Sequence, residues 1–184
     1  MKKTLSLLTA LFFVGMAHAN DSSYSTNGNT LFPYVNTSIA IDKEVLTIRL
    51  TESNRIYYDV DYTFINSSNK EQTILMGFEA DPPYPASVKL TNHGHPDIYD
   101  FTVEMNGVKI KHKCCVAKPM DEAHKLKPLD INKWKVYEGN YIIPKTNKDD
   151  ESYNGSNFAF VYYFNATFKP GKKRIRHPYS YDAG

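Results

Sequence analysis

The sequence predicts a mostly β protein: an antiparallel β-sandwich, immunoglobulin-like or barrel-like, with at most one short helix. The chain of 184 residues contains 14 Tyr and 10 Phe but a single Trp, and Tyr and Phe favour pleated, half-buried surfaces. Several segments alternate apolar and polar residues with a period of two, which is typical of strands with one solvated face. Runs rich in Gly, Pro, Asn and Ser separate these segments, as turns do.

The N-terminus has the three parts of a secretory signal. Lys2 and Lys3 supply positive charge, residues 5–16 are mostly apolar, and Ala17-His18-Ala19 provides a small-x-small cleavage site. The apolar stretch is shorter than the ~20 residues that a membrane-spanning helix needs. We therefore expect cleavage after Ala19 and a periplasmic or secreted protein that has no integral membrane segment once the signal is removed.

Length and charge limit the classes of protein to which the rest of the chain can belong. Residues 20–184 suit a single β-rich domain with its own core, and the polar residues 20–37 suit an extended lead-in. The formal charge is +2, and Lys2 and Lys3 in the signal account for that excess, so the exported part is neutral overall. Because nucleic-acid-binding proteins carry a basic excess, nucleic acid is not an expected partner.

The first strands are predicted between residues 38 and 78. Apolar residues between Ile39 and Leu50 suggest two short strands around a turn near Asp42-Lys43. The clearest alternation follows, in which five residues share one face: Ile56, Tyr58, Val60, Tyr62 and Phe64. After a turn over residues 66–70, Gln72 to Phe78 is predicted to return as the partner of that strand. The Pro82-Pro83 loop then ends the layer, since proline lacks the backbone donor that a central strand uses.

A hairpin and a long aromatic strand are predicted in the second half. Asn106-Gly107 favours a type I′ turn that pairs Met105 with Val108. That register places seven residues on one face: Phe101, Val103, Met105, Val108, Ile110, His112 and Cys114. Residues 120–126 are helix formers and predict one short helix. Phe158, Phe160, Tyr162, Phe164 and Phe168 share the face of a later strand, and Ile175 to Tyr179 predicts a last strand after a turn.

Short motifs spread over most of the exported chain resemble an exported bacterial family catalogued only as a domain of unknown function. They are Asn20-Asp21-Ser22-Ser23, the Ile39 to Leu50 segment, the Tyr-x-Phe-x-Asn-x-Ser run from Tyr62, Phe78 with the Pro82-Pro83 loop, and Phe168-Lys169-Pro170-Gly171 followed by His177 and Tyr179. Lys169 departs from the Phe-Pro-x-Gly turn of that family. Such proteins tend to continue past the position of Gly184, so the chain is either shorter by nature or cut. The resemblance implies export and a β-rich fold, and no chemistry.

Adjacent cysteines, Cys114-Cys115, are the most unusual feature of the sequence. In an oxidising compartment two free neighbouring thiols do not usually persist, which predicts a vicinal disulfide that ends the strand at a tight turn. The alternatives are a buried Cys114 with Cys115 paired elsewhere, and a redox switch. A switch would need a helix N-terminus or positive neighbours to lower the thiol pKa, and in sequence only Lys113 and Lys118 are near.

A soft-metal site is the second hypothesis about chemistry. His93, His95 and His112, with Cys114, carry the imidazole and thiol ligands that copper and zinc prefer. No second C-x-x-C or H-x-x-x-H completes a tetrahedral set, and ordinary surface histidines are the default interpretation. The hypothesis requires the loop around residues 90–97 to lie beside residues 112–115.

The remaining charged motifs have structural interpretations. Asp59 and Asp61 point to the same side of one strand, whereas glycoside hydrolysis needs carboxylates that flank a bond. The basic residues of 169–176 are interpreted as a charged sheet edge. No catalytic residue, nucleophile motif or cofactor is predicted. The expected function is a non-catalytic cell-envelope module that binds a protein or glycan, and the alternative is a periplasmic copper- or zinc-binding protein.

Overall fold

The chain is described by a computed structural model. The described residues are 31–33, 37–52, 54–83, 89–118, 125–137, 140–142 and 158–182. The predicted signal peptide lies outside these ranges, as does most of the predicted helix over residues 120–126. Within them, no helix has the length and apolar character that crossing a bilayer requires.

Twelve strands and one 3₁₀ turn, η1 (Ile131–Lys133), form the described structure. In chain order the strands are β1 (Leu31–Pro33), β2 (Ile39–Leu50), β3 (Arg55–Asn66), β4 (Gln72–Ala80), β5 (Val103–Met105), β6 (Val108–Ile110), β7 (Lys113–Lys118), β8 (Lys127–Pro128), β9 (Lys135–Tyr137), β10 (Asn140–Ile142), β11 (Ala159–Phe168) and β12 (Gly171–Asp182). Sheet I has the spatial order β1-β4-β11-β7-β8, sheet II has the order β2-β3-β12-β5-β6, and β9 pairs with β10 alone. All these pairings are antiparallel.

The two sheets pack against each other around an aromatic core, which confirms the predicted antiparallel sandwich. Alternate residues of β3 and β11 point inward, as their period of two predicts: Val60, Tyr62, Phe64, Phe160, Tyr162, Phe164 and Phe168 are buried. Across the sandwich, the ring of Phe78 lies 5.0 Å from His177 and 5.2 Å from Tyr179. Such ring pairs contribute ~0.5–1.5 kcal/mol each beyond burial, and this core accounts for the high Tyr and Phe content.

The segment from Ile39 to Leu50 is one strand, so the prediction of two short strands around Asp42-Lys43 is wrong. β2 pairs with β3 along its length, and its register shifts between Ile41 and Lys43. A β-bulge of this kind absorbs one extra residue without ending the strand. The polar residues that suggest a turn are therefore those of the bulge, where Asp42 accepts a hydrogen bond of 2.7 Å from Lys172 Nζ.

The predicted pairing of β3 with β4 is also wrong. β3 lies between β2 and β12 in sheet II, whereas β4 lies between β1 and β11 in sheet I. The turn after Asn66 thus carries the chain from one sheet to the other. The turn at Pro170 does the same between β11 and β12. Alternation identifies β3 and β11 as strands, but it contains no information about which sheet each one joins.

The β5–β6 hairpin is confirmed in its turn and in its register. Met105 pairs with Val108, and Asn106 and Gly107 have φ of 51° and 81°, the positive values that a type I′ turn requires. The alternate lysines Lys109, Lys111 and Lys113 are exposed, as predicted. Val108 is on the predicted apolar side yet 69% exposed, because it lies at the turn of an edge strand.

An apolar row on β2 remains exposed. Ile41, Leu46, Ile48 and Leu50 are between 41% and 70% exposed, although Leu46 and Ile48 pair with the inward-facing Val60 and Tyr58. β2 is the edge of sheet II, and the corresponding edge of sheet I, β1, has three residues. Sheet II therefore extends past the described part of sheet I.

Candidate functional site

A surface cleft lies where the loop of residues 89–102 meets the start of β7 and the middle of β11. It has two adjoining halves, and His93 and His112 line both; we call the whole the histidine cleft. The wide half has a volume of about 420 Å³. The residues that line it include Thr91, His93, Asp100, Phe101, His112 and Tyr162. The narrow half, of about 320 Å³, is lined by Asn92, His93, His112, Lys113, Cys114 and Tyr163.

Backbone contacts fix this loop to both sheets. Tyr99 and Ser180 of β12 exchange two hydrogen bonds of 2.8 and 2.9 Å, and Val116 N of β7 donates to Asn92 Oδ1 at 3.0 Å. His95 N donates to Tyr162 Oη at 2.8 Å. The loop is therefore held at strands of sheet I and sheet II, and the cleft is a preformed feature of the fold.

Gly94 allows the loop to approach β11. Its φ of 153° is rarely adopted by residues with a side chain, and an added Cβ would lie 3.4 Å from Tyr162 Oη. The hydrogen bond from His95 N to the same oxygen depends on that approach. The residue between His93 and His95 is therefore a glycine because the backbone there passes close to the hydroxyl of Tyr162.

His95 faces inward, and both of its ring nitrogens are occupied. Nδ1 accepts from Asp97 N at 3.1 Å, and Nε2 lies 2.8 Å from Asp81 O, to which it donates. Burial lowers the pKa of His95 below its ordinary value, although the Asp81 carbonyl opposes that shift. The neutral ring, held by two backbone groups, fixes the loop and has no free nitrogen for a metal.

Of the predicted metal ligands, the structure brings His93, His112 and Cys114 to one half of the cleft. The imidazole of His112 packs edge-on to Phe101 at 5.1 Å, and its burial lowers its pKa. In the described part of the chain, no group of three or more His, Cys, Asp or Glu side chains is arranged to hold a metal ion. The loop does lie beside residues 112–115, as the metal hypothesis requires, but the four-residue set is not assembled around one point.

The predicted vicinal disulfide does not form in this structure, where Cys114 and Cys115 are free thiols. Both residues belong to the regular strand β7, opposite Tyr162 and Val161 of β11. Extended backbone sends neighbouring side chains to opposite faces, so Cys114 packs toward the core and Cys115 joins a small cluster on the outer face. Burial raises the pKa of Cys114 to about 12 and that of Cys115 to about 11. Thiols with raised pKa values are poor nucleophiles, which also disfavours the redox switch.

His177 is fully buried between the sheets. Its ring stacks with Tyr62 at 5.6 Å and with Tyr179 at 6.0 Å, and neither ring nitrogen has a hydrogen-bond partner in the described structure. Burial lowers its pKa to about 3. A hydrolase in which His177 acts as a base from a concave pocket would require access that this position does not give.

The acidic and basic residues of sheet II neutralise one another on its outer face. Arg176 binds Asp59 through two hydrogen bonds of 2.6 and 2.5 Å, and Arg174 binds Asp61 in the same bidentate way. The hydrogen bond from Arg176 is the main cause that lowers the pKa of Asp59. Because β12 lies between β3 and β5, the prediction of a charged sheet edge is wrong for these arginines, which are central and paired.

The comparisons with known proteins identify a family and a fold. The family model described as "Domain of unknown function (DUF4424)" matches residues 19–152, more than half of the chain, which confirms the resemblance inferred from the sequence. None of the curated proteins matches this chain. Among solved structures, a candidate nutrient binding protein from Legionella pneumophila is similar in fold, with a TM-score of 0.50 and 23% identity. The alignment covers 83% of this chain and 42% of that one, so the chain spans about two fifths of the neighbour's length.

Proposed function

We propose that this chain, which belongs to that family of unknown function, is an exported, non-catalytic module of the cell envelope that binds a glycan in the histidine cleft. The histidine cleft is the observation that carries the proposal. Its wide half has a volume within the ~300–1,000 Å³ typical of ligand pockets, and it combines aromatic rings with a few convergent polar groups, as such pockets do.

The chemistry of the wide half suits sugar hydroxyls. Phe101 and Tyr162 stack at 4.1 Å and give the cleft an apolar floor, while Thr91, His93 and Asp100 supply hydroxyl, imidazole and carboxylate groups around it. Asp100 is well placed to accept hydrogen bonds, because its side chain is 82% exposed and its ion pair with Arg55 is long at 4.0 Å. The description of the fold neighbour as a candidate nutrient binding protein agrees with a ligand-binding role.

Substitution of Asp100 by Asn tests this site. Asp100 has φ of 57°, and because Asn tolerates that conformation, the variant keeps the backbone and loses the charged acceptor. We expect Asp100→Asn to weaken the binding of neutral oligosaccharides by roughly tenfold, since a hydrogen bond to a charged group contributes ~1.5–3 kcal/mol. Isothermal titration calorimetry with a panel of such sugars measures the effect.

Asp130→Asn is the matched control. Asp130 caps η1 through its side chain, which accepts from Asn132 N, and Asn caps as well as Asp does. The control should bind sugars as the unaltered protein does. Equal losses in both variants, or the absence of saturable binding by any sugar of the panel to the unaltered protein, would contradict the glycan proposal.

A second candidate function is periplasmic binding of copper or zinc. It is favoured by the observation that His93, His112 and Cys114 line the same half of the cleft. Intact-mass spectrometry of protein purified from the periplasm, under native and denaturing conditions, tests it. On this candidate the native mass exceeds the denatured mass by one metal ion, and His93→Ala removes the excess while Lys111→Ala does not.

The same spectra test export and the state of the cysteines. The proposal predicts a chain that begins at Asn20, after the signal. Reduction should leave the denatured mass unchanged if both thiols are free, as in this structure, whereas a gain of two hydrogens would show that Cys114 and Cys115 are oxidised in the periplasm. If the protein isolated from every cell fraction still begins at Met1, the signal is not removed and the proposed location is wrong.

A further inference from the structure

The residues that line the narrow half of the histidine cleft include a cation and no anion. Its six lining residues are Asn92, His93, His112, Lys113, Cys114 and Tyr163. They include one permanent cation, two imidazoles, an amide and a phenol, and no carboxylate. Pockets lined by groups of one sign raise the local concentration of ions of the opposite sign.

The fold directs hydrogen-bond donors into this half. Asn92 Oδ1 already accepts from Val116 N at 3.0 Å, so the group that Asn92 still offers is its Nδ2 donor. Lys113 lies directly opposite Tyr163 in the pairing of β7 with β11, and residues opposite each other share a sheet face. Desolvation raises the pKa of Tyr163, which keeps its hydroxyl protonated and able to donate.

Charge disfavours a cation in the same place. Lys113 lines this half together with Cys114, and burial raises the pKa of that thiol to about 12. A soft metal ion would need the thiolate and would also be repelled by the lysine. His112 lines the cleft together with Lys113 and Cys114 at the start of β7, His93 and Asp100 of the loop, and Tyr162 and Tyr163 of β11, of which only Asp100, in the wide half, is acidic.

We propose that the narrow half of the histidine cleft binds an anionic group, a carboxylate or a phosphate, carried by the ligand of the wide half. This inference rests on the proposed function and makes it more specific: the ligand is an acidic glycan. Lys113 supplies the fixed charge, Asn92 and Tyr163 orient the oxygens as donors, and the imidazoles of His93 and His112 line the same half.

Binding of simple anions to the exported protein tests the inference. Sulfate is the first probe, because its charge does not change near neutral pH. Inorganic phosphate and acetate then distinguish a preference for phosphate from a preference for carboxylate. At constant ionic strength, we expect saturable shifts of the Asn92 side-chain amide in two-dimensional NMR spectra.

Two lysine variants separate a specific pocket from general attraction. Lys113→Met should weaken sulfate binding by about fivefold, the upper effect of a single accessible ion pair. Lys111→Met, an exposed lysine two residues earlier that lines neither half, should leave it unchanged.

Three results would overturn the inference: no saturable shift with any anion, equal losses in Lys113→Met and Lys111→Met, or binding of zinc or copper with no binding of sulfate. Neutral sugars distinguish these failures from failure of the proposed function. If neutral sugars bind and anions do not, the glycan site remains and the anionic subsite is absent. If anions bind and no sugar does, the narrow half is an anion site without the proposed glycan role.

Discussion

Replacing Asn66 with alanine should destabilise the protein by about 3 kcal/mol or more, because this side chain ties together three segments that cross between the sheets. Asn66 is 2% exposed and ends β3. Its Nδ2 donates to Lys70 O at 2.8 Å and to Phe168 O at 3.0 Å. In alanine the buried carbonyl of Phe168 loses this donor, and the exposed turn at Lys70 loses one of its hydrogen bonds. Urea denaturation followed by circular dichroism measures the free energy of unfolding.

The side-chain oxygen of Asn66 also has several hydrogen-bond partners. Asn66 Oδ1 accepts from Ser68 N at 3.0 Å, from Ser68 Oγ at 2.8 Å, from Gln72 Nε2 at 3.2 Å and from Ser38 Oγ at 3.3 Å. These partners lie on the turn to β4 and on the approach to β2. The crossover between the sheets is thus organised by one side chain that uses both its donor and its acceptor atoms.

Asn66→Asp provides a sharper version of the test. Aspartate keeps the acceptor oxygen but places a second oxygen against the carbonyls of Lys70 and Phe168, where a donor is required. We expect Asn66→Asp to be at least as destabilised as Asn66→Ala at pH 7. Asn165→Ala is the control, because Asn165 is an exposed asparagine of β11, and surface changes of this kind usually stay within ~0.5 kcal/mol. Similar losses at positions 66 and 165 would show that the network contributes no special stability.

Much of the fold followed from the sequence because each strand has its own local signal. β3 and β11 show alternation over their length, and the Asn106-Gly107 turn sets a register that the structure confirms. Strand partners could not be predicted in the same way. The turn after Asn66 is compatible with a hairpin, and its crossing depends on Phe168 O, which is 102 residues away in sequence.

The candidate site was predictable only in part, for a similar reason. The metal hypothesis required His93 and His112 to lie near one another, and they line one cleft. The sequence could not show that His95 turns inward, because that depends on Tyr162 and the backbone of Asp81. Nor did it single out Asp100. The position of Asp100 at the wide half of the cleft depends on its positive φ and on the hydrogen bonds that hold the loop to β12.

Strand pairing explains why Cys114 and Cys115 are free thiols in this structure, where the sequence predicts a vicinal disulfide. β7 is a regular strand through both cysteines, and a bond between neighbouring thiols would distort the peptide between them. The strand also buries Val116 and Ala117 completely. Extended pairing with β11 therefore competes directly with ring closure, and in this structure the pairing is retained.

Below about pH 6.5 the protein should lose stability as the pH falls, and His177 should be a major cause. Its ring is 0% exposed, and its nitrogens have no partner in the described structure. Burial lowers its pKa from 6.5 to about 3; the charge of Asp59 opposes the shift without reversing it. Between those two pH values the unfolded chain binds a proton at His177 and the folded chain does not. Acid therefore favours the unfolded state, and the full stability is present only above the unfolded pKa.

The expected slope is as much as ~1.4 kcal/mol per pH unit over the window from about pH 6 to pH 4. His177→Phe removes the titrating group and keeps an aromatic ring in the stack with Tyr62 and Tyr179. The unfolding free energies of the two proteins, measured by urea denaturation at several pH values, should therefore diverge as the pH falls, with the unaltered protein losing more. Carboxylates contribute to acid denaturation of both proteins and cancel in the difference.

A direct measurement on the unaltered protein complements the variant, since a larger ring in a packed core can introduce strain of its own. The NMR signal of the His177 ring should stay in its neutral position down to about pH 4 while the fold persists. If His177 titrates near pH 6.5, or if the stability curves of the unaltered protein and His177→Phe run parallel from pH 7 to pH 4, the buried imidazole is not the acid-sensitive element. In that event Asp59 would be the next group to replace, because its hydrogen bonds to Arg176 lower its pKa and protonation would break them.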